Sequence, residues 1–72
     1  MPEPQPNSTP DGEVYEVFAK FLQEEPLRHI GRVIAPDEGL ARTYAYTLYQ
    51  EVTWSEMVIV PRRDIVNVIE VA

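Results

Sequence analysis

Four of the seven prolines of this chain fall in its first ten residues, where no strongly apolar residue follows Met1. Proline fixes φ and removes an amide donor, so closely spaced prolines deny a segment helix and central-strand hydrogen bonds. We predict a disordered leader over residues 1–12 and a single small domain over residues 13–72. A domain of about 60 residues buries only about 60% of its unfolded surface, and it usually needs covalent staples or partners.

Cysteine is absent, which excludes disulfides and thiolate metal sites. Oligomerisation, with a homodimer as the simplest case, or docking onto a larger protein remains as the way to bury more surface. The formal net charge of −6 disfavours nucleic acid and anionic membranes as partners. The longest apolar run, Met57 to Pro61, is far too short to span a bilayer, and the first residues lack the features of a secretory signal. We therefore expect a cytoplasmic protein.

Alternating apolar residues predict two strands that form a hairpin. The first covers Val14–Leu22, and the second covers Leu27–Ala35, with Gly31 indicating a bulge or a close backbone approach. In the first strand, one face carries Tyr15, Val17, Ala19 and Phe21, and the other carries Glu16, Phe18 and Lys20.

Ala35-Pro36-Asp37-Glu38 is typical of a helix start, because it supplies a proline and two acids that complement the helix dipole. The predicted helix continues to Tyr49 or Gln50. Its apolar stripe consists of Leu40, Ala41, Tyr44, Ala45 and Leu48.

Met57–Val60 predicts a buried strand that ends at Pro61, followed by a turn or exposed edge at residues 62–64. Residues 65–71 alternate again and predict a last strand, with an amphipathic helix as the alternative. The order β-β-α-β-β predicts an α+β fold, a small two-layer sandwich of an antiparallel sheet of three to four strands with one helix on one face. The second face of such a sheet stays open, and we expect another chain to cover it.

No group of residues predicts catalysis, a cofactor or a metal site. His29 is the single histidine, and it has no nucleophile or ligand cluster to work with. The acid pairs Glu24-Glu25 and Asp37-Glu38 fit a turn and a helix start. Glu-x-x-His, a P-loop and a Rossmann pattern are all missing. We therefore predict that the chain is not an enzyme.

Candidate partner contacts are aromatic or cationic. Tyr46 lies off the helix stripe and Trp54 follows the helix, while Arg62 and Arg63 follow Pro61 and could bind an acidic partner. A solvated turn is the alternative for the two arginines. The predicted contact residues are His29, Arg32, Tyr46, Trp54, Arg62 and Arg63.

Four motifs occur in a recognisable order. They are Tyr15-Glu16-Val17-Phe18, His29-Ile30-Gly31-Arg32-Val33 running into Ala35-Pro36-Asp37-Glu38, a helix with Ala41, Ala45 and Tyr49, and Met57-Val58-Ile59-Val60-Pro61. Over about residues 14–65 the chain resembles the B subunit of the bacterial phenylacetyl-CoA oxygenase (ring-1,2-epoxidase) family. The proline-rich leader and the position of Trp54 ahead of the strand depart from that pattern.

The resemblance implies a non-catalytic, bridging subunit of a multicomponent di-iron oxygenase in aerobic phenylacetate degradation. Its implied partners are a ferritin-like catalytic subunit that carries the di-iron centre and a supporting subunit of the same fold. A diverged paralogue in another assembly is one variant of this hypothesis. The alternatives are a stand-alone homodimeric adaptor or regulator and a ribosome-associated small protein, the second of which the net charge disfavours.

Overall fold

A computed structural model of the chain describes residues 8–10 and 12–69. These residues form a mixed α+β fold in which one helix packs on one face of an antiparallel sheet, as predicted. The elements are β1 (Ser8–Thr9), β2 (Gly12–Lys20), β3 (Arg28–Ala35), α1 (Glu38–Leu48), β4 (Glu56–Pro61) and a 3-10 helix (Arg62–Asp64).

The central strand of the sheet is β2. It pairs with β3 along one edge and with β4 along the other, and both pairings are antiparallel. The two-residue β1 pairs with the start of β2. Because each is antiparallel to β2, the outer strands β3 and β4 run parallel to each other, and α1 connects them across the central strand.

The core lies between α1 and one face of the sheet. Tyr15, Val17 and Ala19 of β2 are buried on this face, as their alternation predicts. They pack with Val33 and Ala35 of β3 and with small residues of α1. The core is therefore built from valines, alanines and Tyr15, and the alanines of α1 allow the helix to approach the sheet closely.

The helix begins where the sequence indicates. The side chain of Asp37 caps α1 by accepting a hydrogen bond of 2.9 Å from the amide of Leu40. The predicted apolar stripe is too wide, because only Ala41 and Ala45 are buried. Leu40, Tyr44 and Leu48 were predicted to be core residues and are exposed, since one short helix on a narrow sheet covers little more than one row of its own side chains.

Gly31 shows both features that the sequence predicts for it. The register of β2 against β3 shifts between Val17 and Phe18, so Ile30 has no partner and forms a bulge beside Gly31. A methyl group on Gly31 would overlap the hydroxyl of Tyr49 from the last turn of the helix region. The glycine therefore lets the Tyr49 ring lie against the strand.

Both ends of the described chain differ from the prediction. Ser8–Thr9 pairs with Gly12 and Glu13, so this part of the predicted leader over residues 1–12 belongs to the sheet, while residues 1–7 and 11 lie outside the described residues. Residues 65–69 form neither the predicted last strand nor the alternative helix. The 3-10 helix turns the chain after Pro61, and residues 70–72 lie outside the described residues.

Candidate protein-docking face

The sheet face opposite α1, which we call the open face, is not covered by any helix or second sheet of residues 8–10 and 12–69. Strand pairing and side-chain alternation place its members in three rows, and the side chain of Arg62 reaches over it. The open face consists of Val14, Glu16, Phe18 and Lys20 from β2, His29, Arg32 and Ile34 from β3, Glu56, Val58 and Val60 from β4, and Arg62.

Glu16 lies at the centre of this face and is only 2% exposed. Nε2 of His29 lies 2.6 Å from its Oε1, and Nη1 of Arg62 donates to its Oε2 at 2.9 Å. Nε of Arg32 is 4.0 Å from Oε1. Both carboxylate oxygens therefore have a donor, as a buried charge requires.

The Glu16 carboxylate is held in its ionised form. Burial alone would raise its pKa, but the hydrogen bonds from His29 and Arg62, helped by the charge of Arg32, lower the pKa below its usual range. Because an ionised carboxylate only accepts hydrogen bonds, Nε2 of His29 is the donor in its contact with Glu16. The outer sides of His29 and Arg62 remain about half exposed.

The charge of the open face differs in sign from that of the whole chain. Lys20, Arg32 and Arg62 contribute three cations, and Glu16 and Glu56 contribute two carboxylates, which gives +1 with a neutral histidine. Since the chain carries −6, the remaining residues carry −7. The open face is thus a cationic area on an acidic protein, a distribution that steers acidic surfaces toward it.

Arg63 points away from this network and forms an ion pair with Glu13. The hydroxyl of Tyr15 also donates to Glu13, at 3.4 Å. Burial raises the pKa of the Tyr15 phenol, and the nearby Glu13 raises it further. Arg62 and Arg63 were predicted to be neighbouring cations for one partner, but each is paired with a glutamate of β2 and they serve different sites.

The two aromatic candidates lie far from Glu16, on the side of the helix and its following loop. Tyr46 is 70% exposed on α1. Trp54 is half-buried, because its indole Nε1 donates to the carbonyl of Tyr49 at 2.9 Å and its ring stacks on Phe21 with 4.4 Å between ring centroids. Phe21, predicted on the core face of the first strand, follows the end of β2 and packs on Trp54 instead.

The structure thus brings together His29, Arg32 and Arg62 and separates them from Tyr46, Trp54 and Arg63. Sequence reasoning placed Glu16 on the open face but missed its central role. The available signal is Glu16 itself, a charged residue between Tyr15 and Val17 in the middle of an apolar alternation, because a buried carboxylate needs cationic partners. The residue of β3 that binds Glu16 could not be assigned from the sequence. The bulge at Ile30 decides that His29 lies opposite Phe18 and reaches Glu16.

Neither a metal site nor a membrane span is found in the part of the chain that the structure describes. Over residues 8–10 and 12–69, no cluster of three or more His, Cys, Asp or Glu residues is arranged to hold a metal ion. No helix in the same residues has the length and apolar character needed to cross a membrane.

The chain matches no protein-family model, and no similar curated protein or solved structure was found. The resemblance to phenylacetyl-CoA oxygenase B subunits therefore stays a prediction that depends on the motifs.

Proposed function

We propose that this chain is a non-catalytic docking subunit of a multicomponent di-iron oxygenase resembling phenylacetyl-CoA epoxidase, and that it acts in the cytoplasm in aerobic phenylacetate degradation. Its partners are the ferritin-like catalytic and supporting subunits, and its contact surface is the open face. The observation that carries the proposal is the uncovered sheet face around a buried, ion-paired Glu16.

The Glu16 network suits a docking surface because it fixes its donors before a partner arrives. Holding the His29 ring and the Arg62 guanidinium in place lowers the conformational entropy that binding would otherwise cost. Their exposed sides, with Arg32, remain available to carboxylates of a partner. Phe18, Val58, Val60 and Ile34 surround them with apolar surface, so the face combines an apolar area with oriented cations.

Charge reversal of Arg32 tests the proposal better than reversal of Arg62. An acidic residue at position 62 would lie against the buried Glu16 carboxylate and destabilise the fold, whereas Arg32 is 4.0 Å from Glu16 and largely exposed. Arg32→Glu should keep the domain folded and greatly weaken binding to acidic surfaces. Arg42→Glu, an exposed charge reversal on α1, is the matched control.

The experiment is co-expression with a ferritin-like subunit pair from the same genome, taken from the neighbourhood of this gene if one is encoded there. We expect wild type and Arg42→Glu to co-purify with the pair at equal stoichiometry and Arg32→Glu to be lost in moderate salt. Arg42→Glu should melt like wild type, because an exposed charge contributes little to folding, and Arg32→Glu should melt several degrees lower but stay folded, because its new carboxylate lies opposite Glu16. Co-purification of Arg32→Glu at wild-type stoichiometry would refute docking through the open face.

Genomes that encode no ferritin-like subunits nearby would favour the stand-alone adaptor.

A further inference from the structure

The outer edge of β4 is an unpaired strand edge. Among the described residues β4 pairs only with β2, so its other side presents free backbone groups over Glu56–Pro61. The strand contains the β-branched run Val58-Ile59-Val60, and no charged side chain interrupts it between Glu56 and Arg62. Natural proteins usually protect such an edge with charges, a bulge or a covering element, and an unprotected apolar edge pairs with another strand.

The helix leaves this edge uncovered. α1 packs mainly over β3 and only lightly over β4. A groove of about 670 Å³ lies between α1 and β4, with Ala45 and Tyr46 on one wall and Met57 and Ile59 on the other. A strand added to β4 would extend the sheet beyond its present edge. Every second side chain of that strand would point to the helix-bearing face and enter this groove.

We propose that a second copy of this chain occupies the edge, with β4 of each copy paired antiparallel about a two-fold axis at Ile59. In this register Ile59 lies opposite Ile59, Val58 opposite Val60 and Met57 opposite Pro61. Each residue therefore faces a residue of the other copy whose side chain lies on the same face of the sheet. The inference does not depend on the proposed docking function, because strand pairing uses the backbone edge of β4 and not the side chains of the open face, although Glu56 and Arg62 border both surfaces.

Charge at the two ends of β4 selects this register. Glu56 precedes the apolar run and Arg62 follows it. Antiparallel pairing about Ile59 brings Glu56 of one copy to Arg62 of the other, twice in the dimer, and opposite charges across strands favour pairing. Shifting the centre to Val60 would instead set Glu56, Met57 and Val58 opposite the 3-10 helix of the other copy, which cannot continue the strand ladder. Glu56 is about half exposed beside Lys20, at 3.3 Å, and can accept from a second cation.

The same two-fold axis also brings together two other apolar features. In the proposed dimer, the residues after Pro61 of one copy pass Glu56 of the other copy. They then approach a cavity of that other copy, which has a volume of about 360 Å³ and is lined by Tyr46, Tyr49, Val52, Trp54 and Met57. The segment that follows has three aliphatic side chains that are 82% to 92% exposed, namely Val66, Val68 and Ile69. Such exposed apolar surface on a small domain marks an interaction site.

The chain has no cysteine, so single cysteines report the register directly. Ile59→Cys places two thiols opposite each other with Cα atoms about 4.5–5.5 Å apart, within reach of a disulfide. Val58→Cys places them on a diagonal at about 7–8 Å, where a disulfide forms poorly. Arg28→Cys, on the outer edge of β3, is the control for non-specific oxidation. We expect a covalent dimer from most of Ile59→Cys and from little of the other two.

Sedimentation equilibrium of the unmodified chain gives a second readout if Ile59→Cys does not fold. We expect a dimer whose dissociation constant rises about tenfold in Glu56→Lys, because two cross-strand attractions become repulsions, and does not change in Glu51→Lys, whose carboxylate lies outside β4. Equal oxidation of Arg28→Cys and Ile59→Cys, or a monomer at all concentrations, would overturn the proposal. A dimer that Glu56→Lys leaves unchanged would also overturn it.

Discussion

At the scale of single residues, Glu16 decides the character of the open face. A carboxylate at 2% exposure is costly unless its partners compensate for lost hydration, and here His29 and Arg62 do so from a neighbouring strand and from the turn after β4. Because Arg62 belongs to the 3-10 helix, the ion pair also fixes the position where the chain leaves the sheet.

Replacing Glu16 with Gln keeps the shape of the side chain but removes its charge. We expect the free energy of unfolding to fall by about 1 to 2 kcal/mol, less than for a fully buried pair because His29 and Arg62 are half exposed. For a domain of this size that is a fall of about 5–15 °C in melting temperature. Glu24→Gln, in the exposed loop between β2 and β3, is the control and should melt like wild type. Equal melting temperatures for Glu16→Gln and wild type would show that the network contributes nothing to folding.

The lowered pKa of Glu16 sets the sign of a pH effect. A group whose pKa is lower in the folded state stabilises the protein above its unfolded-state pKa, about 4.3 for glutamate, and loses this contribution as pH falls through the folded-state value. Denaturant titrations of wild type and Glu16→Gln should therefore differ most above the unfolded-state pKa and converge as the pH falls through the lower folded-state pKa. A difference that grows on acidification would contradict this assignment.

At the scale of the elements, the contact between Gly31 and Tyr49 joins β3 to the end of the helix. Gly31→Ala should cost about 1–3 kcal/mol, because the new methyl group overlaps the Tyr49 hydroxyl. The cost should be smaller in a Tyr49→Phe background, where that hydroxyl is absent. Gly39→Ala is the matched control, since its methyl would meet only ordinary contacts in the first turn of α1, and we expect it to be neutral or stabilising. Urea unfolding of the four variants measures the differences, and equal costs at positions 31 and 39 would rule out the steric explanation.

The local signals in the sequence predicted the elements well. Alternation in β2, the helix start at Ala35-Pro36-Asp37-Glu38 and the strand end at Pro61 depend on neighbours along the chain, and the structure confirms all three. Long-range packing decided the rest. Leu40, Tyr44 and Leu48 have the right spacing for a core but no sheet beneath them, and residues 65–69 alternate like a strand but pair with none of the described strands.

The residues of the proposed docking site were predictable only in part, because their meeting also depends on long-range packing. Arg62 was chosen as a cation at the corner after Pro61, and His29 and Arg32 were chosen as residues of the second predicted strand that could extend that surface. Their meeting at Glu16 depends on the β2 and β3 register, which a one-residue bulge shifts. Arg63 was grouped with Arg62 because they are adjacent in the chain, yet the 3-10 helix directs them to different glutamates.

At the scale of the whole molecule, the chain presents two surfaces suited to different contacts. The open face is cationic on an acidic protein and suits an acidic partner, whereas the β4 edge is apolar and suits a second copy. One chain could use both at once, because the dimer pairs the backbone edge of β4 whereas docking uses the side chains of the sheet face. A dimer through β4 would then present two open faces, the arrangement a bridging subunit requires.

The most direct test of docking through the open face is site-specific photo-crosslinking during co-expression with the ferritin-like pair. A photoreactive phenylalanine analogue replaces Ile34 on the open face in one variant and Tyr46 on α1 in the other, and both positions are exposed and apolar. We predict that position 34 crosslinks to a ferritin-like subunit and that position 46 does not. Crosslinking from position 46 alone would contradict the account and place the interface on the side of Tyr46 and Trp54.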